Sequence, residues 1–163
     1  MFGLKKKKTT KFEVVAPING ECIPLDKVPD QVFSTKMMGD GFAVIPEENA
    51  HQVVAPITGT VVALPDSKHA VGIAADIQGI QVLVHIGLDT VKLQGTGFTP
   101  QVKIDQKITA GTPIVTFDPK VMQDAGLNMT TMVIFTDGYK ESIDIGSKAM
   151  TQVTAGQAIL KQA

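Results

Sequence analysis

Short runs of β-branched and aliphatic residues recur along the chain, separated by glycine, proline and polar residues. This alternation is typical of many short strands joined by tight turns, and the 15 glycines and nine prolines fit it. Asp118 followed by Pro119 predicts a short helix that ends near Gly126, because aspartate caps helices and proline suits the first helical position. Residues 28–38 predict a turn or a short helix over a sheet edge. The predicted strands are 12–16, 21–25, 42–45, 60–64, 69–75, 80–87, 102–108, 112–117, 130–135, 142–145, 150–153 and 157–160, which makes the fold all-β.

Two pairs of sequence echoes indicate an internally duplicated β unit. Residues 14–20 (VVAPING) match residues 53–59 (VVAPITG), and residues 108–111 (ITAG) match residues 153–156 (VTAG). Each echo precedes a predicted strand, which is what a repeated structural unit produces. Two hairpins that need the same turn would also give such short matches, so both explanations stay open.

The most apolar run contains a histidine. Residues 80–87 (IQVLVHIG) predict a strand that is buried on both faces or nearly so, with the titratable His85 inside it. His69 lies sixteen positions earlier, at the start of the predicted strand 69–75. A turn over residues 76–79 would make these two strands a β-hairpin. The remaining histidine, His51, indicates a surface residue with no assigned role.

The length of the hairpin loop decides whether the two rings meet. An odd-length loop can place His69 and His85 directly opposite each other, with Cβ atoms roughly 4.5–5.5 Å apart. A two-residue loop places them on opposite faces of the sheet. A four-residue turn would need a β-bulge to bring them together. We therefore expect an odd loop or a bulge if the histidines form a site.

The composition excludes several classes of protein. Of the 163 residues 44% are hydrophobic and 19% are charged, which fits one folded domain and argues against disorder. The net charge of −1 argues against nucleic-acid binding. The single cysteine, Cys22, allows no intramolecular disulfide and indicates a packed thiol in a reducing compartment such as the cytoplasm. No stretch is apolar for long enough to span a bilayer.

The first residues predict a separate segment. Residues 1–11 indicate a flexible basic tail, and residues 12–163 the folded domain. The run Lys5 to Lys8 follows Phe2 and Leu4 without the long apolar segment of a secretory signal. This segment supports at most a peripheral membrane contact. The opening Met-Phe-Gly-Leu favours a free-standing start over a domain cut from a larger protein.

Two facing imidazoles have three uses. Neutral imidazole is a nucleophile near pH 7, so one ring could accept a phosphoryl group while the other, helped by a hydroxyl at Ser67, binds the phosphoryl oxygens. The pair could instead hold zinc, with Asp40 or Asp89 as a further ligand, but two histidines fall short of the usual three or four ligands. The third use is packing alone, with both rings satisfied by hydrogen bonds. The apolar run and the glycine that follows His85 favour the first use.

Two other functional classes remain as alternatives. Duplicated β units with paired histidines also occur in zinc hydrolases, although the chain has no His-x-His pair and no export signal. A carrier of a lysine-linked cofactor would present a lysine at a hairpin tip. Lys27 follows Asp26, yet Val28-Pro29 comes next instead of a regular return strand, which argues against that class.

Several short sequence motifs of the chain, called phrases below, match one protein family. The phrases are Ala16-Pro17 with Gly20, Val28-Pro29-Asp30 with Val32-Phe33, Gly39-Asp40-Gly41, Val54-Ala55-Pro56 with Gly59, His69-Ala70, and Val84-His85-Ile86-Gly87-Leu88-Asp89-Thr90-Val91 continuing to Leu93, Gly95 and Gly97-Phe98. Through them the chain resembles the glucose-type enzyme IIA domain of the bacterial phosphoenolpyruvate-dependent sugar phosphotransferase system. The resemblance runs from about Phe12 to Leu160.

This resemblance implies a fold and a role. The family has an antiparallel β-sandwich or barrel-like fold and needs no cofactor or metal. In it, the residue matching His85 would accept a phosphoryl group at Nε2 from the phosphocarrier protein HPr and pass it to a cysteine of a sugar-specific IIB domain. His69 would bind the phosphoryl oxygens, with support from a hydroxyl at Ser67. The resemblance also implies that Asp40, Asp89 and Phe42 lie at the rim where these partners dock.

Overall fold

The computed structural model describes residues 12–77, 79–139 and 141–162. This part of the chain forms thirteen strands and two short α-helices, with three 3₁₀ turns between them. The predicted tail over residues 1–11 lies outside the described residues. The strands are β1 (Phe12–Val15), β2 (Gly20–Pro24), β3 (Asp40–Pro46), β4 (Gln52–Val54), β5 (Gly59–Ala63), β6 (Ala70–Ala75), β7 (Gln81–Ile86), β8 (Phe98–Pro100), β9 (Lys107–Ile108), β10 (Pro113–Phe117), β11 (Thr131–Asp137), β12 (Thr151–Val153) and β13 (Ala158–Gln162); the helices are α1 (Gln31–Ser34) and α2 (Pro119–Asp124).

The strands form one large and two small antiparallel sheets. The large sheet has the order β12-β2-β3-β11-β7-β6-β5-β9. The small sheets are β1-β13 and β4-β10-β8. Every pairing in them is antiparallel. The expected all-β antiparallel sandwich is therefore confirmed.

Each face of the large sheet has its own hydrophobic cluster. Side chains alternate across a strand, so Val84 and Ile86 of β7 face the small sheets and complete the main core. A second, smaller cluster covers the opposite face beneath α1. Its buried members are Ile23, Leu25, Val28, Phe33, Ala43, Leu88, Met132 and Ile134. The histidine-bearing strand therefore lies between a dry core on one side and a helix-covered patch on the other.

The sequence echoes mark a duplicated unit. The large sheet is symmetric about its centre, since β12, β2, β3 and β11 on one side correspond to β9, β5, β6 and β7 on the other. The echoed turns make the same backbone bonds: Gly156 N donates to Ala16 O at 2.9 Å, and Gly111 N donates to Ala55 O at 2.8 Å. The two halves are also joined by a hydrogen bond, because Val15 N of the first half donates to Pro56 O of the second. The echoed sequence segments thus belong to a repeated structural unit.

One side-chain acceptor completes each echoed turn. In the first half Ala155 N donates to Asn19 Oδ1 at 2.7 Å. In the second half Ala110 N donates to Thr58 Oγ1 at 2.9 Å. Asparagine and threonine can both supply this oxygen, which is why the echo tolerates a difference at this position.

Both helices begin at an aspartate cap, and the one at Asp118 was expected from the sequence. The side chain of Asp30 accepts bonds from the backbone of α1, and the side chain of Asp118 accepts one from Lys120 N with Pro119 in the first turn. Gly126 follows α2 with φ 69°, the left-handed conformation that glycine adopts easily. None of the helices of the described residues is long and apolar enough to cross a membrane.

Two predicted strands are wrong. Only Lys107–Ile108 of the 102–108 run is a strand, because the chain turns at Asp105 (φ 73°) while Lys103 N donates to Gln106 Oε1. Residues 142–145 are irregular, since Ile143 N donates to the Asp40 carboxylate instead of to a neighbouring strand. In both segments apolar residues pack without joining a ladder, and periodicity does not separate these cases.

We predict that Asn19→Ala lowers the free energy of unfolding by about 1 kcal/mol, because Ala155 N loses its acceptor. Thr58→Ala should cost about half as much, since its bond is more exposed. Urea denaturation measures both. The controls Asn19→Thr and Thr58→Asn keep an acceptor oxygen and should cost less than the alanine variants. Equal losses in the swapped and alanine variants would contradict the equivalence of the turns.

Candidate functional site

His85 lies on the helix-covered face of β7. Its neighbours Val84 and Ile86 are fully buried in the main core, whereas Leu83 and His85 on the other face are partly exposed. The expectation of a strand buried on both faces or nearly so thus holds fully for one face and in part for the other. One face is dry, and the other face presents the imidazole.

The two histidine rings meet. Their centroids are 4.9 Å apart and the ring planes are inclined at 81°, an edge-to-face arrangement. The backbone holds the pair together, since Ile86 N donates to His69 O at 2.8 Å.

The hairpin achieves this contact without an odd loop or a bulge, so that expectation was wrong. Ala75 N donates to Ile80 O, which leaves a four-residue loop, and the ladder runs regularly to the pair Ala70 and His85. His69 precedes β6 and follows Lys68, which has φ 60°. Because the chain leaves the extended conformation there, the strict alternation of a strand does not fix the direction of the His69 side chain.

One hydrogen bond fixes the tautomer of His85. Its Nδ1 lies 2.9 Å from Gly87 O. A carbonyl oxygen only accepts, so Nδ1 carries the proton and the Nε2 lone pair is free. Gly87 has φ 82°, and a Cβ there would lie 2.5 Å from Thr90 Cγ2 and 2.9 Å from Met129 Sδ. The carbonyl is therefore presented by a backbone conformation that favours glycine.

The loop after β7 is anchored on several sides. Gly87 N donates to Thr130 O at 3.0 Å, and Leu88 N donates to Asn128 O at 2.8 Å. The buried hydroxyl of Thr90 donates to Ile86 O at 2.6 Å. These bonds keep the Gly87 carbonyl in place beneath His85.

Ser67 contacts the second histidine. Its Oγ lies 2.7 Å from His69 Nδ1. The turn that carries both is closed by Lys68 N, which donates to Pro65 O at 2.9 Å. The structure thus brings together three of the residues selected from the sequence: Ser67, His69 and His85.

Phe33 is a site residue that the sequence analysis did not select. Its ring centroid lies 4.8 Å from that of His85, with planes inclined at 55°. The side chain is 7% exposed. The available signal was Asp30, a helix-capping residue three positions before an aromatic residue, but only the tertiary packing puts this helix over β7.

Burial lowers the pKa of both histidines. Desolvation and the neighbouring His69 lower the pKa of His85 from 6.5 to about 4. The hydrogen bond to Gly87 and the negative charge of Asp30 act in the opposite direction and are outweighed. Desolvation also lowers the pKa of His69, and a backbone hydrogen bond with Ser67 offsets part of this by raising it. A ring buried in this way is kept neutral near pH 7 because its charged form loses hydration.

The three predicted rim residues have different positions. Asp89 is exposed and immediately follows the His85 loop, with φ 60°. Across the neighbouring strands β3, β11 and β7, Asp40 is aligned with Phe135 and Val82. The β3 residue aligned with His85 is Ala43. Asp40 is thus two strands and three residues away from His85.

The expected rim position of Phe42 is corrected, because its side chain is 0% exposed and belongs to the main core. The carboxylate of Asp40 instead binds neighbouring backbone groups and a lysine, a role called bracing below. It accepts from Gly41 N at 2.8 Å and Ile143 N at 2.9 Å, and lies 3.5 Å from Lys36 Nζ.

The residues present do not form a metal centre. Within the described ranges, no group of three or more histidine, cysteine, aspartate or glutamate side chains is arranged to hold a metal ion. Neither Asp40 nor Asp89 contributes a ligand beside the two histidines there.

Comparisons with known proteins point to one system. The family model described as phosphoenolpyruvate-dependent sugar phosphotransferase system (PTS), EIIA 1, matches residues 12–140. The PTS glucose-specific EIIA component of Oceanobacillus iheyensis is 39% identical over 159 residues, covering 96% of this chain and 93% of that protein. The solved glucose permease IIA from Mycoplasma capricolum is 37% identical with a TM-score of 0.83, covering 94% of this chain and 96% of that one.

Two longer relatives contain a similar segment. The PTS beta-glucoside-specific EIIBCA component of Bacillus subtilis is 47% identical over 122 residues, covering 75% of this chain and 20% of that protein. The PTS glucose-specific EIICBA component of Staphylococcus saprophyticus is 39% identical over 154 residues, covering 94% and 22%. The chain thus spans about a fifth of these two proteins. The comparisons give no support to the zinc hydrolase alternative.

The low pKa of His85 predicts a pH dependence of stability. Between pH 6.5 and about 4 the unfolded chain binds a proton at residue 85 that the folded protein excludes, so the free energy of unfolding falls as the pH drops through this window. His85→Gln should show a weaker fall over the same range. Urea denaturation of both proteins at several pH values measures the difference between their free energies of unfolding. The contributions of the carboxylates that both proteins share largely cancel in this difference. A difference that is constant across the window would contradict the assignment.

Proposed function

The chain belongs to the EIIA 1 family of the phosphoenolpyruvate-dependent sugar phosphotransferase system, and from this we propose that His85 is the residue that carries the phosphoryl group. As a member of this family the protein is a phosphotransferase component that acts in sugar uptake. The observation that carries the assignment is the ring pair 4.9 Å apart, in which His85 Nδ1 is bonded to Gly87 O.

Nε2 of His85 acts as the nucleophile in this proposal. Its lone pair forms a bond to phosphorus while the bond between phosphorus and the donor breaks, so the donor regains its electron pair. The ring becomes positively charged as the bond forms, and the Gly87 carbonyl accepts from Nδ1–H throughout. Because burial disfavours protonation of the free ring, Nε2 keeps its lone pair at neutral pH.

His69 supports the phosphoryl oxygens in this proposal. When the Ser67 hydroxyl donates to His69 Nδ1, the ring proton of His69 lies on Nε2, where it can be donated to an oxygen. A donor fixed before the reaction stabilises developing charge without reorganisation. Ser67 thus acts through His69 by setting its tautomer.

The proposed phosphoryl donor is phospho-HPr, and the proposed acceptor is a cysteine of a IIB domain. Two relatives are named as single proteins that combine B, C and A components, which supports a B component as the acceptor. We place this exchange in the cytoplasm. The exposed Asp89 beside the His85 loop remains the proposed rim residue, while the contacts of Asp40 support a bracing role.

We expect phosphoenolpyruvate, enzyme I and HPr to convert the protein into an acid-labile phosphoprotein. His85→Ala should abolish labelling because it removes the nucleophile. His51→Ala is the matched control and should label fully, since His51 is exposed and bonds to Asn49 O of its own loop. Radiolabel incorporation followed by acid treatment measures the outcome. Full labelling of His85→Ala would overturn the assignment.

We expect His69→Gln to accept phosphate but to donate it slowly to a IIB domain. The nucleophile is intact, whereas the donor that stabilises the transferring group is altered, so donation should fall by about 100-fold. Ser67→Ala should show a smaller loss, because His69 remains. Rapid-quench measurements of transfer from the phosphorylated variants test this. Wild-type donation by His69→Gln would refute the role of His69.

A further inference from the structure

We propose that Asp30 is a positioning residue for phosphoryl transfer: by capping the start of α1, it holds the Phe33 ring against His85 and keeps water away from the reacting nitrogen. This inference rests on the proposed function of His85.

Asp30 makes the bonds of a helix cap. Its Oδ1 accepts from Val32 N at 2.9 Å and from Phe33 N at 3.4 Å. Its own backbone is extended (φ −153°, ψ 124°), and its carbonyl accepts from Ser34 N at 2.8 Å. The cap therefore satisfies two donors at the start of the helix, one of which belongs to Phe33.

The helix needs this cap more than a long helix would. It has only four residues, and one turn of helix does not stand alone in water. Beyond the backbone bonds that close its C-terminal end, its support is apolar, from Phe33 packed with Ile23, Leu25 and Val28 in the second cluster. Removal of the cap should therefore loosen Phe33 first, because the side chain and the capped backbone group belong to one residue.

The Phe33 ring forms one wall of the site. It packs 4.8 Å from His85, while His69 packs at 4.9 Å in the edge-to-face arrangement. Met132, opposite His85 on β11, is fully buried. With Phe33 in place, water reaches Nε2 by a narrower approach, which limits hydrolysis of a phosphohistidine.

Asp30 acts on His85 in two opposite ways. Its carboxylate raises the pKa of His85, whereas burial of the His85 ring, to which the packed Phe33 ring contributes in this proposal, lowers it. The titratable groups that face His85 are His69, from the residue before β6, and Asp30, from the start of α1; Met132 of β11 adds no charge. Variants that keep the cap but remove the charge therefore separate the two effects.

The test compares two kinds of substitution at residue 30. Asp30→Asn and Asp30→Ser keep a capping oxygen without the charge, whereas Asp30→Ala removes both. Phe33→Ala removes the wall directly. Asp26→Ala, which removes an exposed nearby carboxylate, serves as the control. The readouts are the titration of His85 by NMR in the unphosphorylated protein and the lifetime of the phosphorylated protein after purification.

We expect Asp30→Asn and Asp30→Ser to titrate at or below the wild-type pKa of about 4 for His85 and to keep the wild-type phosphoprotein lifetime. Asp30→Ala and Phe33→Ala should raise the pKa of His85 toward 6.5 and shorten that lifetime several-fold. Identical behaviour of Asp30→Ala and Asp30→Asn in both readouts would overturn the proposal. If Asp30→Ala does not fold, Phe33→Ala decides the matter: a wild-type titration and lifetime overturn the proposal. Failure of the wild-type protein to accept phosphate would overturn the proposed function, and it is recognised separately because the titration needs no phosphorylation.

Discussion

The hydrogen bond from His85 Nδ1 to the Gly87 carbonyl is the constraint on which the site depends. It sets the tautomer of the ring and leaves Nε2 as the free nitrogen. The bond requires a carbonyl turned back toward the strand, which the positive φ of Gly87 provides. The free Nε2 lone pair also requires a ring that is neutral before transfer, and burial by its neighbours supplies that condition. A glycine, a packed aromatic ring and a second histidine thus act on one nitrogen.

The duplicated architecture supplies the same backbone frame in both halves, and only one half carries the candidate histidine pair. Counted along the ladders from the echoed glycines that begin β2 and β5, the position of His85 corresponds to Ile134, and that of His69 corresponds to Asp40. Ile134 is buried in the cluster beneath α1, and Asp40 binds backbone groups. The same backbone geometry therefore carries a hydrophobic core on one side of the symmetry axis and the candidate histidine pair on the other. Function here depends on side chains placed on a shared frame.

The candidate site was predictable where the residues lie close together in the chain. His85 and His69 belong to one hairpin, and Ser67 lies two residues from His69, so local pattern and family phrase both found them. The error at Phe42 arose because the phrase gave no information on which face of β3 that residue occupies, and its side chain turned out to lie in the core. Phe33 was missed for the complementary reason, since its contact with His85 joins distant parts of the chain.

The sequence by itself determined the class of fold, most strands, the start of α2 and the candidate histidine pair, and it indicated the duplication. These depend on local preferences, on the period of apolar residues and on repeated turn residues. Only the tertiary structure decided how His69 reaches His85 past a regular four-residue hairpin, because the chain bends at His69, just after the left-handed Lys68, and so leaves the strand alternation. Tertiary packing also decided that α1 covers β7 and that the Phe33 ring packs on the His85 ring. A contact between separate elements is fixed by the packing of whole faces, which the spacing of residues within one segment does not encode.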